Sequence, residues 1–305
     1  MISRTSGPAC KCCGGTTRLF GSIDASRSGQ ERYGPVFPAS GELITYWRCL
    51  GCEFIFTDDF DSLSSAELGE RIYNDDYIRA DPDFAANRPN YFSGFLDELL
   101  APLKHRIEAI DFGGGRGVLA NLAREKGFDC YDSYDPYFGD QSRPVRQYDL
   151  VTAFEVVEHS RDPLGTFREM RSLLKPSGAV LFSTSIQPKG VDPGWWYIAP
   201  RNGHVSIHSD RSLRTLANRL GMHCLSILDY LHLLYPTSGS WVARFIAGPR
   251  ASAALRVASL RSGAALASTS MQLVKLGRVR PCLDPRHVAR LLFGVRGVAR
   301  AGERT

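Results

Sequence analysis

Long apolar runs are missing from this chain of 305 residues. No stretch approaches the roughly 18 uncharged residues that a membrane-spanning helix needs. The N-terminus also lacks the charged-then-apolar layout of a secretory signal, so we expect a cytoplasmic protein. Arginines occur without interleaved aromatic residues and without a nucleic-acid-binding motif, so we expect no nucleic-acid partner. A composition with 43% hydrophobic and 23% charged residues is that of a globular protein with a buried core.

Positive charge is concentrated at the C-terminus. From Arg244 onward there are twelve Arg or Lys and two acidic residues, so the preceding residues carry a net charge of −5 within a total of +5. Residues 249–305 are predicted to be a basic, Ala/Ser/Arg-rich helical tail. Its Pro285–Ala301 stretch has arginines on one helical arc and apolar residues opposite, which suits an anionic membrane surface. Gly294 and Gly297 weaken that helix, which favours a contact with protein instead.

Eight cysteines in a cytoplasmic chain indicate metal binding or chemistry before disulfides. Four of them form two C-x-x-C pairs: Cys10 with Cys13, and Cys49 with Cys52. Two such pairs can place four thiolates around Zn²⁺, whose binding would stabilise a segment too short to bury much core. Residues 1–57 are therefore predicted to be a zinc-ribbon-like module. Cys12 is an alternative ligand.

A glycine-rich turn follows a predicted strand, Arg106–Phe112, and precedes a predicted helix, Gly117–Lys126. The dinucleotide fingerprint G-x-G-x-x-G fails there, because Val118 occupies the third glycine position, and this disfavours a nicotinamide oxidoreductase. The pattern present is D-x-G-x-G-x-G, from Asp111 to Gly117. Such a turn lets the backbone approach a flat ligand, and an acid at Asp135, after the next strand, can accept hydrogen bonds from ribose hydroxyls.

At these residues the chain resembles class I S-adenosylmethionine (SAM)-dependent methyltransferases, and the resemblance continues from Tyr148 to Thr184. It implies an α/β fold with a Rossmann-like, seven-stranded sheet in residues 105–248, preceded by a helical linker or lid at 58–104. It also implies SAM as cofactor, with these contacting residues: Asp111, Gly113, Gly114, Gly115, Gly117, Asp135, Phe154 and Glu155. The family's acid that contacts adenine has no clear counterpart, since only twelve residues separate Asp135 from the next strand; Asp140 is a weak candidate.

The E-V-V-E-H run, Glu155 to His159, follows a strand and is expected to face the transferred methyl group. His159 has a suitable intrinsic pKa for a general base, and Glu155 is the accompanying catalytic candidate. Ubiquinone-pathway O-methyltransferases share this run, and the resemblance also allows Glu155, Glu158 and His159 to hold a divalent cation. A structural role, with Glu155 ordering the SAM loop and His159 capping a helix, stays open.

The aromatic segment after residue 193 provides the acceptor candidates Trp195, Trp196, Tyr197 and Arg201, and a second candidate base, His204. Aromatic and polar groups outside regular structure suit a flat or sugar-like acceptor, although a core plug over the sheet is an equal alternative for the tryptophans. Similar segments occur in zinc-ribbon-bearing members of the family related to sugar and surface-glycan enzymes. We predict a helix at Leu213–Leu220 with an N-cap at Ser209-Asp210, then antiparallel strands at Cys224–Leu234 and Trp241–Ala247.

Taken together, the sequence predicts a SAM-dependent O-methyltransferase with a small-molecule or saccharide acceptor. The alternatives are a SAM-binding scaffold without turnover and a sugar C-methyltransferase.

Overall fold

The computed structural model describes residues 7–138 and 141–248. Its strands are β1 (Thr17–Asp24), β2 (Leu43–Cys49), β3 (Ile55–Phe56), β4 (Glu108–Phe112), β5 (Cys130–Tyr134), β6 (Tyr148–Phe154), β7 (Leu174–Ser183), β8 (Ser206–Ile207), β9 (Met222–Ser226) and β10 (Leu231–Pro236). Its helices are α1 (Ser65–Arg71), α2 (Tyr77–Ala80), α3 (Asn87–Leu99), α4 (Val118–Glu125), α5 (Pro163–Ser172), α6 (Asp210–Arg219) and α7 (Trp241–Ile246). The predictions for Asp140 and for the tail, residues 249–305, lie outside the described residues.

The N-terminal segment forms an antiparallel sheet with the order β1-β2-β3-β8. Strands β1 and β2 pair along most of their length, from Thr17 opposite Cys49 to Asp24 opposite Leu43. The fourth strand comes from far along the chain, because Ile55 of β3 pairs with Ile207 of β8. The cysteine-bearing segment is therefore continuous, through backbone hydrogen bonds, with the segment that precedes α6.

The second sheet has the order β5-β4-β6-β7-β10-β9. Strands β5, β4, β6 and β7 are parallel, whereas β10 runs antiparallel to both β7 and β9. The chain moves from β4 to β5 on one side and then to β6 on the other, so the strand order reverses at β4. In open α/β sheets the ligand binds beyond the carboxyl ends of the strands at such a reversal.

Alternating residues of the central strands build two separate hydrophobic layers. On one face Leu150 and Leu181 pack with α3, α4 and α7. On the opposite face Val151 and Val180 pack with α5, α6 and the cysteine-bearing segment. This period of two is what a strand covered on both faces requires. The result is the three-layer α/β architecture expected from the sequence.

Two predictions at the end of the sheet have different outcomes. The predicted cap of α6 is confirmed, because the Ser209 side chain accepts a hydrogen bond from the Ser212 N–H, although the helix begins at Asp210 rather than at the predicted Leu213. Residues Trp241–Ala247 were predicted as a strand, but they form α7, capped by the Ser240 hydroxyl. The antiparallel pair is instead the hairpin of β9 and β10.

The main sheet has six strands in the described residues rather than the predicted seven. The connection from Asp135 to Tyr148 contains no strand among its described residues, and it is too short for the usual helix and strand. None of the described helices is both long enough and apolar enough to cross a bilayer.

Candidate functional sites

The two C-x-x-C pairs converge on one point. Cys10 Sγ lies 3.6 Å from Cys52 Sγ, and Cys13 Sγ lies 3.4 Å from Cys49 Sγ. All four sulfurs lie within 4.8 Å of one another. Tetrahedral Zn–S bonds of about 2.3 Å require sulfur atoms roughly 3.8 Å apart, so the group fits zinc.

Each pair forms the same backbone turn. The N–H of Gly14 donates to Cys10 O, and the N–H of Glu53 donates to Cys49 O. Both residues have positive φ, +75° at Gly14 and +65° at Glu53. N–H groups also point at the sulfurs, including Cys52 N to Cys49 Sγ at 3.4 Å. Such hydrogen bonds orient metal ligands and stabilise thiolates.

Cys12 lies next to this group but outside it. Its side chain is fully buried in the hydrophobic layer, and burial raises the pKa of its thiol. Hydrogen bonds from Cys12 and Cys52 lower the pKa of Cys10. The four-sulfur group therefore consists of the four predicted residues, with Cys12 beside it.

The glycine turn after β4 needs glycine for two different reasons. Gly113, Gly115 and Gly117 have φ values of +74°, +53° and +74°, where a side chain is strained. A Cβ at Gly113 would also lie 2.7 Å from Val156 Cγ2, and one at Gly114 would lie 2.6 Å from Asp111 Oδ2. A Cβ at Gly115 would meet nothing within 4 Å, so this point of the turn faces open space.

Asp135 lies across the turn and is held by it. Gly115 N donates to Asp135 Oδ2 at 2.9 Å, and Tyr137 N donates to Oδ1 at 2.8 Å. The side chain of Gln141 bridges the same two segments, donating to Gly115 O and accepting from Asp135 N, both at 3.0 Å. No sequence signal pointed to Gln141, because a lone glutamine in a polar loop has no distinctive pattern.

Asp111 lies beneath the turn with 5% of its surface exposed. Burial, with a smaller contribution from the charge of Asp135, raises its pKa to about 7. The Thr152 hydroxyl donates to Asp111 Oδ1 at 3.1 Å and partly offsets that rise. At neutral pH the protonated and ionised forms of this carboxyl group are therefore both populated.

The turn after β6 carries Phe154 and Glu155. The Phe154 ring stacks on that of Phe92 from α3, with centroids 3.8 Å apart. Glu155 has φ of +55°, a strained value for a residue with a side chain. It is fixed by Ser183 at the end of β7, which accepts from Glu155 N at 2.8 Å and donates to Glu155 Oε1 at 2.7 Å.

Glu158, His159 and His204 form a second potential metal-binding group, with ligand atoms within 4.8 Å of one another. Glu155, predicted to share such a site, is not part of it. Glu158 is fully buried; Tyr197 OH donates to its Oε1 at 2.7 Å, and its Oε2 has no partner within the described part of the chain. Burial, reinforced by the charge of Glu155, raises the pKa of Glu158 well above its ordinary value.

Both histidines are oriented by backbone carbonyls. His159 Nδ1 lies 3.2 Å from Gly203 O, and His204 Nδ1 lies 2.8 Å from Tyr197 O. We assign Nδ1 as the protonated nitrogen in each ring, which leaves each Nε2 with a free lone pair. Burial lowers the pKa of both imidazoles, and the neighbouring His204 lowers that of His159 further. Both are therefore neutral at pH 7.

The predicted acceptor residues differ in their surroundings. Tyr197 is almost fully buried against Glu158, and Arg201 is bound to Ile72 O and Asn74 Oδ1. The Arg32 guanidinium lies over the Trp196 ring, with Arg32 Cζ 4.0 Å from the ring centroid. Trp195, by contrast, lines a cavity.

The match to a family model lies after the cysteine segment. A family model described as "Methyltransferase domain" matches residues 84–227. The chain is 27% identical over 160 residues to the "Ubiquinone biosynthesis O-methyltransferase" of Proteus mirabilis, covering 46% of this chain and 64% of that protein. It is 33% identical over 92 residues to the protein of the same name from Aeromonas salmonicida, covering 30% and 39% respectively.

In both cases the chain spans less than two thirds of the relative's length. Among solved structures, human N-acetylserotonin methyltransferase in complex with SAM is similar at a TM-score of 0.42 and 16% identity, over 59% of this chain and 61% of that one. That structural likeness is too distant to bear on function. The family match and the curated relatives confirm the resemblance seen in the sequence.

Proposed function

We propose that this protein transfers a methyl group from SAM to a hydroxyl group of a small-molecule acceptor, because residues 84–227 match a family model described as "Methyltransferase domain". The observation that carries the proposal is the glycine turn with Asp135 across it, 2.9 Å from Gly115 N to the carboxylate. The turn leaves Gly115 facing open space at the reversal of strand order.

In this proposal the turn holds the cofactor without side chains. The backbone from Gly113 to Gly117 contacts the methionine moiety, and the first N–H groups of α4 attract its carboxylate. Asp135 accepts hydrogen bonds from the ribose hydroxyls after exchanging its bond with Gly115. Phe154 and Glu155 close the same edge of the sheet. The bound cofactor supplies an electrophilic methyl group on a sulfonium.

His159 or His204 then accepts the acceptor's proton. A neutral Nε2 would take the hydroxyl hydrogen as the acceptor oxygen receives the methyl group, whose bond to the donor sulfur would break at the same time. The imidazolium afterwards releases its proton to solvent. The lowered pKa of both imidazoles favours this release and keeps each base neutral at pH 7. Alignment of donor and acceptor supplies the rest of the acceleration.

We further propose that Cys10, Cys13, Cys49 and Cys52 hold a structural Zn²⁺. The support is the distance between sulfurs and the N–H groups directed at them. Four protein ligands leave no open coordination position, which suits a structural rather than a catalytic role.

Calorimetry with SAM and its demethylated product tests the cofactor proposal. Gly113→Ala should weaken SAM binding at least tenfold, because its Cβ collides with Val156 and the turn must shift. Gly127→Ala is the matched control, since Gly127 also has positive φ, +91°, but a Cβ there meets nothing within 4 Å. Folded protein that binds neither compound contradicts the proposal. SAM binding without turnover on any acceptor favours the scaffold alternative.

A second candidate is a divalent cation held by Glu158, His159 and His204. The unpartnered Oε2 of Glu158 and the proximity of one ligand atom from each of the three residues support it. A cation there would lower the pKa of an acceptor hydroxyl and replace the histidine base.

Mn²⁺ titration followed by electron paramagnetic resonance separates the two roles. If the cation proposal holds, Glu158→Gln weakens Mn²⁺ binding roughly tenfold or more, while Glu169→Gln, a control on α5, leaves it unchanged. Absence of Mn²⁺ binding at this group leaves the histidines as bases.

A further inference from the structure

A cavity of about 570 Å³ lies between the cysteine-bearing sheet and the segment that follows β7. Arg48 of β2 and Glu53 of the second cysteine turn form one wall. Gln187, Lys189 and Trp195 form another. None of the residues that we assign to SAM binding lines it, so the cavity is separate from the cofactor site.

The cavity adjoins the turn after β6 through two aromatic residues in its walls. The Trp195 ring lies 5.4 Å from that of Tyr197, whose hydroxyl is bonded to Glu158. Tyr230 also lines the cavity. Burial raises the pKa of Tyr230, and Tyr91 and the nearby charge of Glu155 add smaller contributions. The cavity is therefore connected to the residues that we assign to methyl transfer through the packed ring of Tyr197.

The charges in the walls nearly balance. Arg48 and Lys189 are cationic, whereas Glu53, Asp210 and Asp229 are anionic. With one more negative than positive group, these walls disfavour a diphosphate or a carboxylate ligand. Hydrogen-bonding groups of both signs suit a ligand with many hydroxyl groups, each of which donates and accepts.

Aromatic and amide groups in the walls are also suited to a sugar ligand. Trp195 and Tyr230 supply ring surfaces against which the C–H face of a pyranose can pack. Gln187 is 8% exposed; its Nε2 donates to Glu53 O at 2.8 Å, while its Oε1 accepts no hydrogen bond from the described residues. The amide of Gln187 thus belongs to the wall and is held there by its hydrogen bond to Glu53.

We propose that this cavity binds an uncharged glycosyl unit of the methyl acceptor, with Arg48, Glu53 and Trp195 as its specificity-determining residues. The assignment to an acceptor rests on the proposed methyltransferase function. It gives the cysteine-bearing module a second role, because Arg48 and Glu53 are positioned by β2 and by the Cys49–Cys52 turn.

Saturation-transfer difference NMR tests the proposal on the full chain. The probes are methyl glycopyranosides of glucose, galactose, mannose and rhamnose, with UDP-glucose and catechol as probes of other classes. Ring protons of at least one glycoside should receive saturation. The apparent affinity should fall about fivefold or more in Trp195→Ala and in Arg48→Gln, which each lose one contact.

Arg18→Gln is the matched control, because Arg18 pairs directly with Arg48 across β1 and β2 but is exposed and does not line the cavity. It should bind the glycoside like the parent protein. Glu53→Gln, which keeps the side-chain shape, checks the result independently, and thermal unfolding of each variant verifies folding.

Three outcomes overturn the proposal: no glycoside binds, only UDP-glucose or catechol binds, or binding is unchanged in the cavity variants. SAM calorimetry on the same samples separates the two proposals. SAM binding without glycoside binding contradicts the glycosyl site alone, whereas folded protein that fails to bind SAM contradicts the methyltransferase function.

Discussion

The four-cysteine group and the carboxyl edge of the main sheet are built in opposite ways. At the cysteines, two short turns repeat one geometry, and N–H groups point at the sulfurs. At the sheet edge, Glu158 has a carboxylate oxygen with no partner among the described residues, and Asp111 has a raised pKa. Each region holds one non-glycine residue at positive φ, Glu53 and Glu155, so the regions differ in unsatisfied polar groups rather than in backbone strain.

We interpret this difference as that between a stabilising site and a reactive one. A strained or unsatisfied group persists only where the surrounding structure holds it in place, and such groups cluster where ligands bind. Changes at the cysteines should therefore cost stability, whereas some changes at the sheet edge should increase it.

The largest effect is expected at the cysteines. Cys49→Ser removes one of four thiolate ligands, so bound zinc should be lost and the unfolding midpoint should fall by about 10 °C or more. Metal analysis and calorimetry of untagged protein measure both. Cys130→Ser, a half-buried cysteine outside the group, should retain zinc. A variant at Cys49 with normal zinc content and midpoint would remove the contrast between the regions.

At Asp111 the expected change has the opposite sign. Its pKa is raised from an ordinary 3.8 to about 7, so the folded state loses stability as pH rises between those values. Asp111→Asn has no carboxyl group to ionise, so it should not lose this stability. Its free energy of unfolding should exceed that of the parent protein by an amount that grows with pH, to at most roughly 4 kcal/mol above pH 8. Urea unfolding at several pH values tests this.

A second variant checks the cause of that change. Thr152→Val removes the hydroxyl that donates to Asp111, so the destabilisation at high pH should deepen. If the free energies of unfolding of Asp111→Asn and the parent protein differ by the same amount at every pH in this range, burial does not destabilise the ionised carboxyl group.

The smallest effect is expected at Ser183. Ser183→Ala removes two hydrogen bonds to Glu155 and should lower the free energy of unfolding by about 1 kcal/mol. SAM affinity should fall as well, because the strained turn loses both of its hydrogen bonds with Ser183. Ser177→Ala, on the exposed part of the same strand, is the control for the loss of a hydroxyl. Equal effects from the two variants would show that the Glu155 turn is held by other contacts.

The correct predictions about the fold came from local sequence motifs. The glycine turn and its flanking elements follow from backbone requirements within a few residues, and so do the cysteine turns. The Ser209 cap identified the start of α6. The same kind of signal at Ser240 could have identified α7, but the apolar run after it has no periodicity long enough to distinguish a helix from a strand.

The arrangement of the candidate sites depends on tertiary packing. His204 approaches His159 only because the segment from Tyr197 to Gly203 folds back over the sheet edge. Proximity between positions 45 residues apart in sequence leaves no periodic signal. The cavity is still less predictable, because its walls come from segments far apart in the chain, from Arg48 to Tyr230. The predicted roles of the individual site residues stay predictions.

The pairing of β3 with β8 has a consequence for the nascent protein. Ile55 leaves the ribosome about 150 residues before Ile207, which at typical elongation rates means a delay on the order of ten seconds or more. During that interval the outer edge of β3 lacks its native neighbour, although both cysteine turns have already been synthesised. Early metal capture would give the emerging N-terminal segment a fixed template onto which the late strand can close.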